Sequence, residues 1–428
     1  MRKRAVVLLG AGAPLAWGGP LTSQITNEIL QNRDFRTKKG QNLAVYIVDQ
    51  LATFYNRDRS EFTFEHIVNA LETVVDYLSD DLKGSPPEFM GSKPLWFNLT
   101  DIYAEFENYR FTEHEGTDQG FLKNLAADPT NTPIQINSKL HKRYFIMDIV
   151  DNYLNLIRGI ISNYDFSCLD KKHDGLNQNL WQFYKCLKDQ GYIVRFYTTN
   201  YDELVPKIFR EKYNHDLYSG FDIPLSKIEP EKLLSNPTKI LLDNSVDCYY
   251  NLHGSLYWDT ATDERRFEPA YVYCRGWANS YESGARSVVT NPSESTIIYN
   301  IVTGFNKLQK ISVEPLNSFF HALAMDCIQT DILITIGYSY SDPHINRLLK
   351  HSVVENNAKL LHITKTDYFP GSVDFRNMQH VSITKKHKDS FEKVNKSWEV
   401  SNDRQTYIYT SGLEDFLDGK EWRLFLGY

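Results

Sequence analysis

Short, largely apolar runs, each closed by glycine or polar residues, set the rhythm of this chain. Ala5, Val6, Val7, Leu8 and Leu9 form the first, and Gly10-Ala11-Gly12-Ala13-Pro14 follows directly. Runs of this length without polar alternation predict strands covered on both faces, as in a parallel sheet. The same pattern returns from Tyr192 to Tyr197, closed by Thr198-Thr199-Asn200-Tyr201-Asp202, and from Cys248 to Leu252, closed by His253-Gly254-Ser255. It returns again from Asp331 to Ile336, closed by Gly337-Tyr338-Ser339-Tyr340-Ser341-Asp342, and a last strand is expected from Lys359 to Thr364. Pro343 then suits the first turn of a helix, with Asp342 as its N-cap.

Between the first two strands the period changes to that of helices. Phe64, Ile67, Val68, Leu71, Val74, Val75 and Leu78 share one face, and residues 41–82, about 101–109, 138–163 and about 176–189 all read helical, with a polar loop expected over 110–137. The first helix starts near Thr22 or Ser23. Another follows the second strand from about Glu203. The expected fold is α/β: a Rossmann-like parallel sheet with a large, mostly helical insertion at about 41–190. Residues 258–312, rich in aromatics such as Tyr271, Tyr273 and Trp277, read as an irregular aromatic flap or an ordinary surface insertion. Residues 1–364 form the expected catalytic domain, and 365–428 a C-terminal extension that is a possible oligomer or partner contact.

Composition narrows the function classes. With 428 residues and 42% hydrophobic content the chain can bury a large core. A net charge of -7 and a pI near 6.0 supply no basic surface for nucleic acid, and the cluster Lys385, Lys386, His387, Lys388 reads as a solvated turn. Five cysteines (Cys168, Cys186, Cys248, Cys274, Cys327) have no C-x-x-C pair, so neither a zinc ribbon nor a disulfide framework is expected. The apolar run after the first four residues is too short for a signal sequence, and no run approaches a membrane span. A cytoplasmic location is the expectation.

The chemistry starts at Gly10-Ala11-Gly12. Glycines after a strand let backbone N–H groups approach a diphosphate, and the helix beyond aims its positive end at an anion. The same turn also serves tight strand-to-helix packing. A dehydrogenase fingerprint would place a third glycine at Leu15 and an acid at the end of the second strand; Asp34 instead lies in the charged stretch from Gln31 to Lys39. Hydride transfer is therefore a poor fit. Polar residues past the other strand ends sit where parallel sheets bind ligands. Asn200 and Asp202 also suit helix capping, and His253 also suits a buried histidine. His321 and His344 receive no role.

Four strand ends thus present, in order, Gly-Ala-Gly, Thr-Thr-Asn-Tyr-Asp, His-Gly-Ser and Gly-Tyr-Ser, with Gly18 and Pro20 after the first. Over residues 10–342 this order resembles the sirtuin family. Thr199 replaces the family's glutamine, Pro14 stands where deacylases have serine, no phenylalanine follows Pro20 at the usual spacing, and of the four-cysteine zinc ribbon only Cys274 falls in the corresponding region. The resemblance is therefore to the zinc-free bacterial sirtuin-like proteins that hydrolyse NAD, often as anti-phage effectors.

That resemblance implies NAD as substrate and no metal. Cleaving the nicotinamide–ribose bond builds positive charge on the ribose, so a site needs oxygens near C1′ and a held water. Asn200 suits holding that water or the ribose hydroxyls. By the resemblance, Asp202 would bind the nicotinamide carboxamide and His253 would act as general base or orient the ribose. Gly10, Ala11 and Gly12 would cradle the diphosphate, and Gly337 and Ser339 would receive the adenosine side. A homo-oligomer, or a separately encoded ATPase of the DNA-translocase type, would supply control. A protein deacylase or ADP-ribosyltransferase, and a non-catalytic NAD or ADP-ribose sensor, are the alternatives.

Overall fold

A computed structural model describes residues 3–37, 40–80, 139–243, 245–263, 268–274, 286–291, 294–303, 310–365 and 391–427. The expected helix at 101–109, the loop at 110–137 and the basic cluster at 385–388 lie outside the described residues. In chain order the strands are β1 (Lys3–Leu9), β2 (Tyr192–Thr198), β3 (Phe221–Pro224), β4 (Lys232–Ser235), β5 (Cys248–Asn251), β6 (Trp258–Asp263) and β7 (Glu268–Cys274). They continue with β8 (Arg286–Asn291), β9 (Glu294–Ile298), β10 (Ile332–Ile336), β11 (Lys359–Ile363), β12 (Phe391–Lys393), β13 (Trp398–Ser401) and β14 (Thr406–Tyr409).

Eight of them make the main sheet in the order β12-β13-β14-β11-β10-β1-β2-β5. From β14 to β5 every pairing is parallel; the β12–β13 and β13–β14 pairings are antiparallel. Strand β1 shows why the run is apolar throughout. Ala5, Val7 and Leu9 enter the core on one face, while Val6 and Leu8 enter the core on the other. Both sets leave water, and each fully buried leucine or valine contributes roughly 1.5–3 kcal/mol. Between Ala5 and Leu9 a charge would lack a solvated side, and the buried charge at the start of the strand, Arg4, is paired with Asp326 at 2.6 Å.

Helices cover both faces. One face carries α1 (Thr22–Gln31), α2 (Leu43–Tyr55), α3 (Phe64–Asp80), α4 (Lys139–Ser167) and α5 (Asp174–Asp189). Helix α3 lays Ile67, Val68, Leu71, Val74 and Val75 in one core with Ile149, Val150, Tyr153 and Ile157 of α4. This is the expected helical insertion between the first two strands. Helix α6 (Leu204–Tyr213) follows β2, and the short α7 (Pro237–Leu242) precedes β5. The opposite face carries α8 (Leu316–Gln329) and α9 (Pro343–Lys350), which bury Leu316, Phe319, Leu323, Ile345 and Leu349 with Val6 and Leu8.

Two parts differ from the sequence reading. Residues 258–274, expected to be irregular, hold strands β6 and β7 of an antiparallel sheet ordered β3-β4-β7-β6. Ala270, Tyr271, Val272 and Cys274 are all buried, so the alternation that marks a one-sided strand is absent. Of residues 365–428, expected to be an extension, the described 391–427 complete the main sheet. Strand β14 pairs with β11, and the terminal helices α10 (Gly412–Asp418) and α11 (Trp422–Leu426) bury Phe416 and Trp422 beside Phe183 of α5. Among the described residues no helix is long and apolar enough to cross a membrane.

Candidate functional site

The sheet reverses direction beside β1. From β1 the chain builds outward through β2 and β5, then returns to place β10 on the other side of β1 and builds outward through β11 and β14. A crevice opens beyond the carboxyl ends at such a switch point, where open α/β sheets bind ligands. The loops that flank it are 10–13 and 337–342.

These loops cross in contact. A Cβ on Gly10 would lie 2.6 Å from the Gly337 carbonyl oxygen, and one on Gly337 would lie 2.3 Å from the Ala13 nitrogen, at a φ of +57°. The Gly10 N–H donates to the Ile336 carbonyl and the Gly12 N–H to the Gly337 carbonyl, each at 2.9 Å. The sequence reading therefore needs correction: these N–H groups serve the crossing of two loops, and the glycines are required because backbone meets backbone. Ala11, Gly12, Gly337 and Ser339 line the crevice, whereas Gly10 lies beneath it. Thr22, the first residue of α1, lines it too, so a helix N-terminus does face the crevice.

Loop 337–342 is held rigidly. Tyr340 has a φ of +55°, uncommon for a bulky residue, and is fixed by a hydroxyl contact of 2.7 Å to Thr335 Oγ1 and by its carbonyl, which accepts from Asn346 Nδ2 at 2.6 Å. Thr335 Oγ1 lies 2.9 Å from His362 Nδ1. Burial pushes the His362 imidazole down to about 4, so it stays neutral beneath the loop.

Two connected clefts result. The first has a volume of about 100 Å³ and is lined by Ala11, Pro14, Asn200, Tyr201, His253 and Asp342 among others. The second, about 620 Å³, runs over Gly12 and Gly337 to Lys365, Glu414 and Asp415, past the ends of β11 and β14. Ala11, Thr22, Tyr338 and Ser339 line both. The residues at 411–415 thus belong to the crevice, not to a separate extension.

Asn200 and His253 are neighbours by register. Thr198 of β2 pairs with Asn251 of β5, and Asn200 and His253 each lie two residues beyond the end of their own strand. The Leu252 N–H donates to the Thr198 carbonyl at 2.8 Å, which carries the pairing one step past the strands. Asn200 Nδ2 donates to the Gly10 carbonyl at 3.0 Å, leaving Oδ1 as the acceptor it can offer to the cleft. His253 is 2% exposed and its carbonyl accepts from Val302 at 2.8 Å. Gly254, at a φ of +84°, allows this clamp, since a Cβ there would lie 2.1 Å from the Asn300 carbonyl oxygen.

Asp202 takes a different position. Its Oδ1 accepts from the Leu204 N–H at 3.1 Å and its Oδ2 from the Tyr164 hydroxyl at 2.5 Å. It caps the turn into α6 and faces a small inner pocket, shared with Asn200, whose walls are Leu9, Trp17, Phe196 and other apolar residues. Burial, and then the nearby Asp165, raise its carboxyl to about 6.

Several residues of the site carry no sequence signal beyond that of core residues. Phe64 and Glu65 of α3 and Ile161 and Tyr164 of α4 line the first cleft from the helical insertion. Asn251, 5% exposed, donates from Nδ2 to the Asp202 carbonyl at 3.1 Å and staples the turn that carries Asn200. Residues described within 258–312 do not line the first cleft, so the expected flap is not seen over it among the described residues.

As potential metal ligands, His253, Asp342 and His344 converge, with one donor atom from each within 4.8 Å of the others. The cysteines are all free thiols, and burial pushes those of Cys168, Cys248, Cys274 and Cys327 up to about 12.

Residues 194–370 match the family model described as a SIR2-like domain. That segment contains Asn200, Asp202, His253, Gly337, Ser339 and Asp342, and so four of the strands around the crevice with their loops. Members of the family are NAD-utilising enzymes. No curated protein matches the chain.

Proposed function

From the match of residues 194–370 to the model described as a SIR2-like domain, we propose that the protein is an NAD glycohydrolase, releasing nicotinamide and ADP-ribose. The observation that carries this reading is the placement of Asn200 and His253 side by side, on adjacent strand ends, in one cleft that continues over the crossed loops 10–13 and 337–342.

The chemistry follows from the lining. The diphosphate sits at the junction, over Ala11 and Ser339 and near the N-terminus of α1, and the adenosine extends into the larger cleft toward Lys365 and Glu414. Nicotinamide riboside enters the first cleft. Its C1′–N bond breaks, the electron pair leaves with nicotinamide, and positive charge develops on the ribose. Glu65 and Asp342 in the lining, with no lysine or arginine among the described lining residues, suit a cationic ribosyl centre. Asn200 Oδ1 holds the attacking water, His253 accepts its proton as the C1′–O bond forms, and ADP-ribose is the product. The inner pocket bearing Asp202 accommodates the leaving carboxamide. No step here calls for a metal.

Such an activity would exhaust the NAD of a cell if unrestrained. The resemblance to zinc-free bacterial NAD-hydrolysing effectors supports a role in anti-phage defence, with activity gated by self-association or by a separately encoded ATPase. The test is a substitution series. Asn200→Ala and His253→Ala are expected to lower NAD cleavage by roughly 100- to 10,000-fold, with thermal stability near that of the parent. Turnover unchanged by either substitution would overturn the assignment.

A further inference from the structure

We propose that His253, Asp342 and His344 form a binding site for a divalent cation of the zinc class, and that the bound ion closes the first cleft. Two imidazoles and one carboxylate are a donor set that suits zinc, with a fourth position left to solvent. One donor atom from each lies within 4.8 Å of the others. Bonds of about 2.0–2.1 Å need donor atoms roughly 3.3 Å apart, so side-chain rotation of little over an ångström completes the set.

The backbone favours it. Asp342 and His344 flank Pro343, whose fixed φ holds two donors of one short stretch at a set spacing. Asp342 stands at the N-cap position of α9 with φ −94° and ψ 97°, yet its carboxylate makes no capping hydrogen bond to that helix, contrary to the role its sequence position suggests. The His344 ring packs 5.5 Å from Phe320 and 6.1 Å from the His253 ring. His253 arrives from the other side, on the end of β5, where the Gly254 and Val302 contacts fix its backbone. Among the described residues this is the group of histidines, cysteines and acids whose donor atoms converge in this way.

The consequence for activity rests on the glycohydrolase reading; the site itself does not. An ion bound to the ring nitrogen of His253 removes the proton acceptor. Its charge, placed at His253 and Asp342 on the cleft wall, also repels the cationic nicotinamide–ribose. Occupied by metal, the cleft rejects NAD.

The test uses the full chain stripped of metal and titrated with Zn²⁺ by calorimetry, with Co²⁺ as a spectroscopic stand-in. The parent is expected to bind one equivalent, with Co²⁺ giving visible bands of a low-coordinate site. His344→Ala and Asp342→Asn are each expected to weaken binding by at least about 10-fold. Two variants guard against a fold defect in one, and circular dichroism reports on both. Metal binding equal in parent and both variants, or absent from the parent, overturns the proposal. In a parallel assay Zn²⁺ is expected to suppress nicotinamide release by the parent and not by His344→Ala. Zinc bound at these residues by a protein that never cleaves NAD would retain the metal site and remove the glycohydrolase reading; NAD cleavage with zinc binding indifferent to the variants would do the reverse.

Discussion

Gly337 shows how a residue type can be read correctly for the wrong reason. By the resemblance a glycine at this strand end would receive the adenosine side of the ligand, but its φ of +57° and the 2.3 Å that would separate a Cβ there from the Ala13 nitrogen show that what approaches is another loop of the same chain. Gly337→Ala is therefore expected to destabilise the fold by roughly 1–3 kcal/mol through backbone overlap that no rotamer relieves, and to abolish NAD binding by shifting loop 10–13. Chemical denaturation and calorimetric titration with NAD check both parts; an unaltered midpoint would refute the crossing. Asn200 and His253 were legible because each follows an apolar run at a strand end and the four motifs come in one order. Glu65 and Tyr164 were not. They sit on helices at spacings that also describe core packing, and only the folded chain shows which face meets the crevice.

At the scale of elements, the turn from β2 into α6 carries both the chemistry and a buried polar knot. Glu203, 5% exposed, accepts from the Tyr273 hydroxyl at 3.2 Å, while Lys207 pairs with Asp165 and donates to Tyr257 at 2.6 Å. Burial, then the charge of Asp165, raise the Glu203 carboxyl to about 7 from an ordinary 4.5. A carboxyl raised on folding favours the folded state fully below its unfolded value, and that contribution fades as pH rises through the folded value. Between pH 4.5 and 8 the parent is therefore expected to lose stability relative to Glu203→Gln, by on the order of 1–3 kcal/mol. Urea unfolding of both proteins at pH 5 and pH 8 measures it, and parallel pH profiles would contradict it. The helices and parallel strands around this turn could be read from their periods. The sheet of β3, β4, β6 and β7 could not, because β4 and β7 are largely covered on both sides and lose the alternation that announces a strand, while β3 is only four residues long.

For the whole molecule, the switch point beside β1 gathers residues from positions 11 to 415 into one crevice. Sequence placed the left and right walls, the loops after β1, β2, β5 and β10. It set the final segment apart, because β12 and β13 are short and antiparallel and only β14 rejoins the parallel set. The structure makes that segment the far wall of the larger cleft, at Ser411 to Asp415. A crevice so shaped, with a polar end and a long groove, suits a dinucleotide. The decisive experiment incubates the purified full chain with NAD at several protein concentrations and follows nicotinamide and ADP-ribose by mass spectrometry. The two products are expected in equal amounts, with activity rising more than linearly with protein if self-association gates it. Intact NAD at every concentration, whether bound or not, would contradict the glycohydrolase reading.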